Sequence, residues 1–209
     1  MTHPALTTFT ERMDALVDAT DNPHEIADHA GRYLGELLPH PQFLDAGFRA
    51  PGRDTYQQHT VHVHPQGRYS LVSLVWRPGQ ATPIHDHRCW CVVGVLEGRE
   101  REERFRLHID GVEEWLSVDG ASHYAPGEVC RLVPPDEDIH RVVNVADQTS
   151  ISLHVYGADI ERCGTSINRI FDVPVRPSAS AEQQPAVSWR DRDRSPLPRN
   201  GDRTSEPTH

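Results

Sequence analysis

The order of apolar and polar positions changes character near Tyr56. Before it, apolar residues recur at helical spacing. Phe9, Met13, Leu16 and Val17 mark a first helix over residues 6–19, and Ile26, Ala30, Leu34 and Leu37 mark a second that opens at Pro23 with Asn22 as its cap. Pro39 and Pro41 end that run. From Tyr56 onward the period falls to two, the alternation of a strand. Strands are predicted over residues 60–63, 69–76, 90–96, 103–109, 113–118, 128–133, 141–145 and 150–156. Turn dipeptides separate them: Pro78-Gly79, Glu97-Gly98, Asp110-Gly111, Asp119-Gly120, Pro126-Gly127 and Pro134-Pro135. Short strands at this spacing, with no helical crossover between them, predict a mainly β chain built as a sandwich or barrel and exclude a parallel α/β sheet. After Pro174 the pattern collapses. Residues 178–209 are rich in Pro, Ser, Arg and Asp, which predicts a disordered tail, and the run Arg190-Asp191-Arg192-Asp193-Arg194 balances its own charge. The expected organisation is therefore a helical segment over 1–45 packed on a β domain over 46–175, followed by a tail over 176–209.

At 209 residues the chain can fill one well-cored domain. Its 21 basic residues face 31 acidic ones, a net charge of -10, which argues against nucleic acid or an anionic membrane as partner. No apolar stretch approaches the roughly 20 residues that span a bilayer, and the first 18 residues carry no signal-peptide core. Four cysteines, Cys89, Cys91, Cys130 and Cys163, make no disulfide framework in a chain of this size, and Cys89 and Cys91 are too close for a CxxC motif. A reduced, cytoplasmic protein is expected.

The candidate chemistry lies in three histidines. His85 and His87 stand at i and i+2, so on a strand both rings point to one face, and His140 comes from a distant strand to complete a triangle around one metal ion. An HxH pair alone arises readily among 14 histidines; His62 and His64 have the same spacing and read as a polar strand face. What distinguishes His85 and His87 is the frame: Gly79, five residues, His-x-His, three residues, Cys91, six residues, Gly98.

That frame resembles the first motif of the cupin superfamily, the double-stranded β-helix barrel, and Pro135 through His140 to Asn144 resembles its second, with Glu137 replacing the usual glycine. Cupins commonly place a glutamate ligand shortly after the HxH pair; here Cys91 stands at the first such position. The combination is similar to the cysteine dioxygenase family of thiol dioxygenases, which hold Fe²⁺ on three histidines. Ser152, His154 and Tyr156 share one face of a strand and resemble that family's Ser-His-Tyr relay, while Cys91 aligns with its cysteine that can crosslink to the tyrosine, here Tyr156. As a bland alternative, Cys91 is simply a buried thiol. Cys89, Cys130 and Cys163 read as structural, and Trp76 and Trp90 as core or pocket wall.

The resemblance implies a function: oxidation of a small thiol carboxylate by O₂ to its sulfinate. In the mammalian-like branch an arginine two residues after a tyrosine binds the carboxylate. This chain has Tyr56-Gln57-Gln58, so Gln58 takes that position, as in the bacterial glutamine-type branch, several of whose members prefer 3-mercaptopropionate to L-cysteine. That branch often adds an arginine after the relay tyrosine, for which Arg162 and Arg169 are the candidates, and commonly has glycine where this chain has Cys91. The resemblance also favours a monomer. The competing readings are a cupin isomerase or hydrolase using another divalent metal, and a non-catalytic cupin that binds a small ligand. Three neutral imidazoles would leave Fe²⁺ its full charge and open positions, which favours an incoming thiolate.

Overall fold

A computed structural model describes residues 3–135 and 138–177. Residues 178–209 of the predicted tail, its Arg-Asp run and Glu137 lie outside the described residues, whereas Arg176, placed in the tail by the sequence, pairs with Ser117 as part of a short strand.

Two helices come first, α1 (Pro4–Ala19) and α2 (Pro23–Leu37), each opening with proline, where a missing N–H costs nothing. The Asn22 side chain caps α2 by accepting from the backbone N–H groups of His24 and Glu25. The predicted apolar stripes are the buried ones: Phe9, Met13, Leu16 and Val17 on α1, and Ile26, Ala30, Leu34 and Leu37 on α2. Among the described residues, no helix is long and apolar enough to cross a membrane.

Among the described residues, eleven strands follow: β1 (Gln57–Val63), β2 (Ser70–Trp76), β3 (His85–His87), β4 (Cys91–Glu97), β5 (Glu100–Asp110), β6 (Glu113–Tyr124), β7 (Val129–Leu132), β8 (His140–Asn144), β9 (Ser150–Tyr156), β10 (Ile167–Ile170) and β11 (Val175–Arg176), with a one-turn helix α3 (Ile160–Cys163) before β10. They form two sheets, β1-β2-β9-β4-β7 and β10-β3-β8-β5-β6-β11. From β2 to β5 and again from β6 to β10, sequence neighbours alternate between the sheets, so the chain winds as the double-stranded β-helix of a cupin.

The first sheet is buried on both faces. Leu71, Val75, Val92, Ile151, Leu153 and Val155 pack outward against the helices, while Val72, Leu74, Trp76, Cys91, Val93 and Tyr156 pack inward. The near-continuous apolar run of β4 follows from this double burial, whereas β2 and β9 bury serines and His154 as well. The second sheet keeps one face in solvent along much of its length, and every position of β6 except Leu116 is at least partly exposed.

Gly98, which closes the first motif, turns the chain from β4 into β5 with φ +82, and a Cβ there would lie 2.7 Å from the Ser150 backbone. The turn predicted at Asp119-Gly120 does not form. Instead Arg104 pairs with Gly120 and Phe105 with Val118, so Asp119 is the extra residue of a β-bulge and β6 runs on to Tyr124. The short strands β10 and β11 escape the sequence reading because their period is too brief to register.

Candidate metal centre

His85 and His87 on β3 point to one side, and His85 pairs in register with His140 on β8. The three ring centroids lie 4.7 to 4.9 Å apart, and one nitrogen from each ring lies within 4.8 Å of the others. All three rings are buried.

The remaining nitrogens determine which one faces inward. His85 Nδ1 donates to the Pro83 carbonyl at 3.0 Å, His87 Nδ1 to Asp138 Oδ1 at 2.7 Å, and His140 Nδ1 to Glu102 Oε1 at 2.9 Å. Each partner can only accept, so each Nδ1 carries the proton and each Nε2 presents a lone pair to the shared centre. Asp138 also accepts from the His87 backbone N–H at 2.7 Å, gripping ring and main chain at once. Burial pushes His85 down to about 2 and lowers His140 as well, so both remain neutral donors. Glu102 is held at about 2: burial would raise it, but the hydrogen bond with His140 and the neighbouring Arg104 outweigh that. Three inward-facing imidazole nitrogens with open space in front of them form a donor set that fits a divalent metal ion.

Across from the histidines, β9 carries a hydrogen-bonded chain. Ser152 Oγ lies 3.0 Å from His154 Nε2, and Tyr156 Oη lies 3.1 Å from His154 Nδ1. Trp76 Nε1 donates to Ser152 at 3.0 Å, and the Ser166 hydroxyl also engages Tyr156. Burial holds His154 down to about 3 and raises Tyr156 well above the usual tyrosine range, so both groups are uncharged at neutral pH. The Tyr156 ring sits 6.4 Å from that of His87.

Between triad and relay lies a cavity of about 40 Å³, lined by all three histidines, His154, Tyr156, Tyr56, Gln58, Trp76, Thr165 and Ser166 among others. A much larger open groove, about 1280 Å³, runs past α2, β7 and the bulge, but neither His85, His140 nor the relay lines it.

The structure brings together the predicted metal ligands and the predicted relay. Gln58 sits at the cavity with its residue exposed. Cys91 pairs with Tyr156 across β4 and β9, is fully buried, and has its sulfur 4.0 Å from His154 Nδ1; burial keeps its thiol protonated. Trp76 proves to be both pocket wall and hydrogen-bond donor. Neither candidate arginine reaches the cavity. Arg162 is exposed on α3. Arg169 is turned outward by a register shift between Ile167 and Ile170; it ion-pairs with Glu114 and stacks 4.5 Å over Phe171. His64, read as part of a polar face, is buried against Tyr69 and α1. The sequence reading missed Glu102 and Asp138. Asp138 stands two residues before His140, so its spacing was a usable signal, whereas Glu102 is hidden in the charged run of residues 99–104.

The family model for cysteine dioxygenase type I matches residues 51–168. Cysteine dioxygenase type 1 of Danio rerio is 28% identical over 101 residues, covering 47% of this chain and 50% of that protein. The Homo sapiens protein is 26% identical over 99 residues, covering 46% and 48%. The chain thus spans about half the length of the curated relatives it matches. A solved double-stranded β-helix protein from Klebsiella pneumoniae superposes with a TM-score of 0.43 at 15% identity, covering 54% of this chain and 80% of that one. The family match takes in more than half of the sequence, including all three histidines and the Ser152-His154-Tyr156 strand: the chain belongs to the cysteine dioxygenase type I family.

Proposed function

We propose that this protein is a non-haem, Fe²⁺-dependent thiol dioxygenase acting on a small thiol carboxylate, RSH + O₂ giving RSO₂⁻ and H⁺. The observation that carries the reading is the pairing, across one small cavity, of three inward imidazole nitrogens with a buried tyrosine hydroxyl hydrogen-bonded to His154. When bound, the ion supplies a positive charge that favours a thiolate and the redox chemistry that O₂ requires.

The chain's own residues position and enclose. The cavity at the triad is small, about 40 Å³, which supports a small ligand over a peptide. Tyr156, kept protonated by burial, orients substrate or oxygen through its hydroxyl, and His154, kept neutral, aims that hydroxyl without adding charge. No arginine lines the cavity among the described residues, so the Gln58 amide, with the Thr165 and Ser166 hydroxyls, is the polar set for the carboxylate. An amide in place of a guanidinium favours 3-mercaptopropionate, with L-cysteine as the close competitor. The reading takes the protein as a cytoplasmic monomer using diffusible substrates.

The test is O₂ uptake by the Fe²⁺-loaded protein with 3-mercaptopropionate and L-cysteine in parallel, together with sulfinate analysis. Uptake matched by sulfinate is expected, and Gln58→Arg should move the rate ratio towards L-cysteine. No uptake with either thiol, with iron verified at the site, would turn the reading to a non-oxidative cupin.

A further inference from the structure

Glu100, at the start of β5, is a buried carboxyl group that the proposed chemistry does not use. It is 1% exposed, and no basic side chain pairs with it among the described residues. Its surroundings are hydroxyls: Ser150 and Ser152, both on β9, engage its carboxyl group. Ser150 Oγ lies 3.0 Å from Glu100 Oε1 and 2.8 Å from the Glu97 carbonyl oxygen. One hydroxyl proton cannot serve two acceptors fully. A protonated Glu100 relaxes the conflict, because the neutral carboxyl group competes less for the Ser150 proton, which then serves Glu97. Burial pushes Glu100 up to about 7, against the opposing pull of the two serines, so both forms are populated near neutrality.

Ser152 joins this carboxyl group to the relay. Its oxygen accepts from Trp76 Nε1, a group that can only donate, so one lone pair and one proton remain for His154 and Glu100. With Glu100 ionised, the carboxylate draws the Ser152 proton, because charge-assisted bonds are the stronger ones. His154 Nε2–H then donates to Ser152, and His154 Nδ1 accepts from the Tyr156 hydroxyl. With Glu100 protonated, Ser152 donates to His154 Nε2 instead. His154 Nδ1–H then donates to Tyr156, whose own proton is free to point into the cavity. The two arrangements differ by one proton. Its uptake at Tyr156 moves each proton one bond inward, from Tyr156 to His154, from His154 to Ser152, and from Ser152 to Glu100.

We infer that Glu100 is a positioning residue at the inner end of the relay: through Ser152 it selects the His154 tautomer, and thereby whether the Tyr156 hydroxyl faces His154 or the cavity. This rests on the reading of Ser152, His154 and Tyr156 as a working relay. The other titratable groups near Glu100 are uncharged or already paired. Cys130 on β7 and Tyr124, its register partner on β6, are both pushed up by burial, and Glu102, further along β5, is held by His140 and Arg104. Opposite on β8 stands Asn144, which does not titrate.

The test has two readouts. ¹⁵N NMR of histidine-labelled, Zn²⁺-loaded full-length protein reports the His154 tautomer directly. The wild type should exchange one tautomer for the other between about pH 6 and about pH 8, and Glu100→Gln should hold one form throughout. In the Fe²⁺-loaded enzyme, thiol-dependent O₂ uptake should fall about tenfold over that range as the protonated fraction of Glu100 falls, and Glu100→Gln should flatten the step. Ser150→Ala, which removes one hydroxyl that stabilises the carboxylate, should move the step to higher pH without abolishing it. A single His154 tautomer across the range in the wild type, or an unchanged step in Glu100→Gln or Ser150→Ala, overturns the inference. A Tyr156→Phe variant with normal turnover overturns the functional reading instead, and the tautomer measurement then still judges the coupling of Glu100 to His154.

Discussion

Every residue of β2 and β9 is buried, whereas β5 loses its cover towards Asp110 and β6 has one fully buried residue, Leu116. The sheet that holds β9 is sealed by helices on one side and the barrel interior on the other. The sheet that holds β3 and β8 meets solvent along its outer strands. Each contributes one wall of the cavity, and the chemistry divides accordingly. On the sealed side burial removes charge: His154 and Tyr156 are neutral, and the Cys91 thiol stays protonated. On the other side carboxylates stand directly behind His87 and His140, with Arg104 beside Glu102. The lesson is that the fold separates a wall able to support a cation from a wall that can only orient hydrogen bonds.

The hardest blow to this division is His140→Ala, which removes one of three metal nitrogens. Metal content by elemental analysis and thiol-dependent O₂ uptake should both collapse, while Tyr156→Phe should leave metal content intact. Turnover in Tyr156→Phe should fall by about 10- to 100-fold, the worth of one charge-assisted hydrogen bond. If Tyr156→Phe also loses metal, the two walls are not separable. Next in size, Glu102→Gln keeps an acceptor for His140 but removes the carboxylate; metal affinity, measured by competition with a chelator, should weaken about 10- to 100-fold. Affinity equal to the wild type would show that the buried carboxylate does not tune its ligand. The smallest effect concerns the relay wall without metal. His154 is pushed down to about 3, so it stays neutral in the folded state while the unfolded chain takes up a proton below pH of about 6.5. Stability on its account should therefore be undiminished above that pH and fall by about 1.4 kcal/mol per pH unit below it, a slope that His154→Gln should remove from denaturant titrations of the metal-free protein.

The two walls were not equally readable in the sequence. Ser152, His154 and Tyr156 stand in an unbroken strand of period two, and the HxH pair sits inside a glycine frame, so local spacing alone places these side chains. The α1 and α2 stripes were legible for the same reason. Glu102 was not, because in the run Arg99-Glu100-Arg101-Glu102-Glu103-Arg104 alternate charges look like a solvated strand. Only the central place of β5, between β8 and β6, buries Glu100 and Glu102. Arg169 failed differently. The resemblance alone named it as a candidate, and at the irregular pairing of β10 with β3 it turns outward to Glu114. Bulges such as this one and that at Asp119 depend on the partner strand, which no local pattern reveals.

The covering of β4 and β9 by the helices also limits how this molecule can be cut or rearranged. A methyl group added at Gly94 would lie 2.9 Å from Leu34 and Leu38, so α2 is seated directly on a strand that neighbours the relay. Truncation before Tyr56 would strip the back of the relay wall and take the site with it, however clean the helical boundary looks. The opposite end of the barrel has room to spare. At the tip joining β5 to β6, Ile109 is 64% and Val112 99% exposed. Insertions, fused labels or new chain termini belong there, where neither wall of the cavity depends on the backbone being altered.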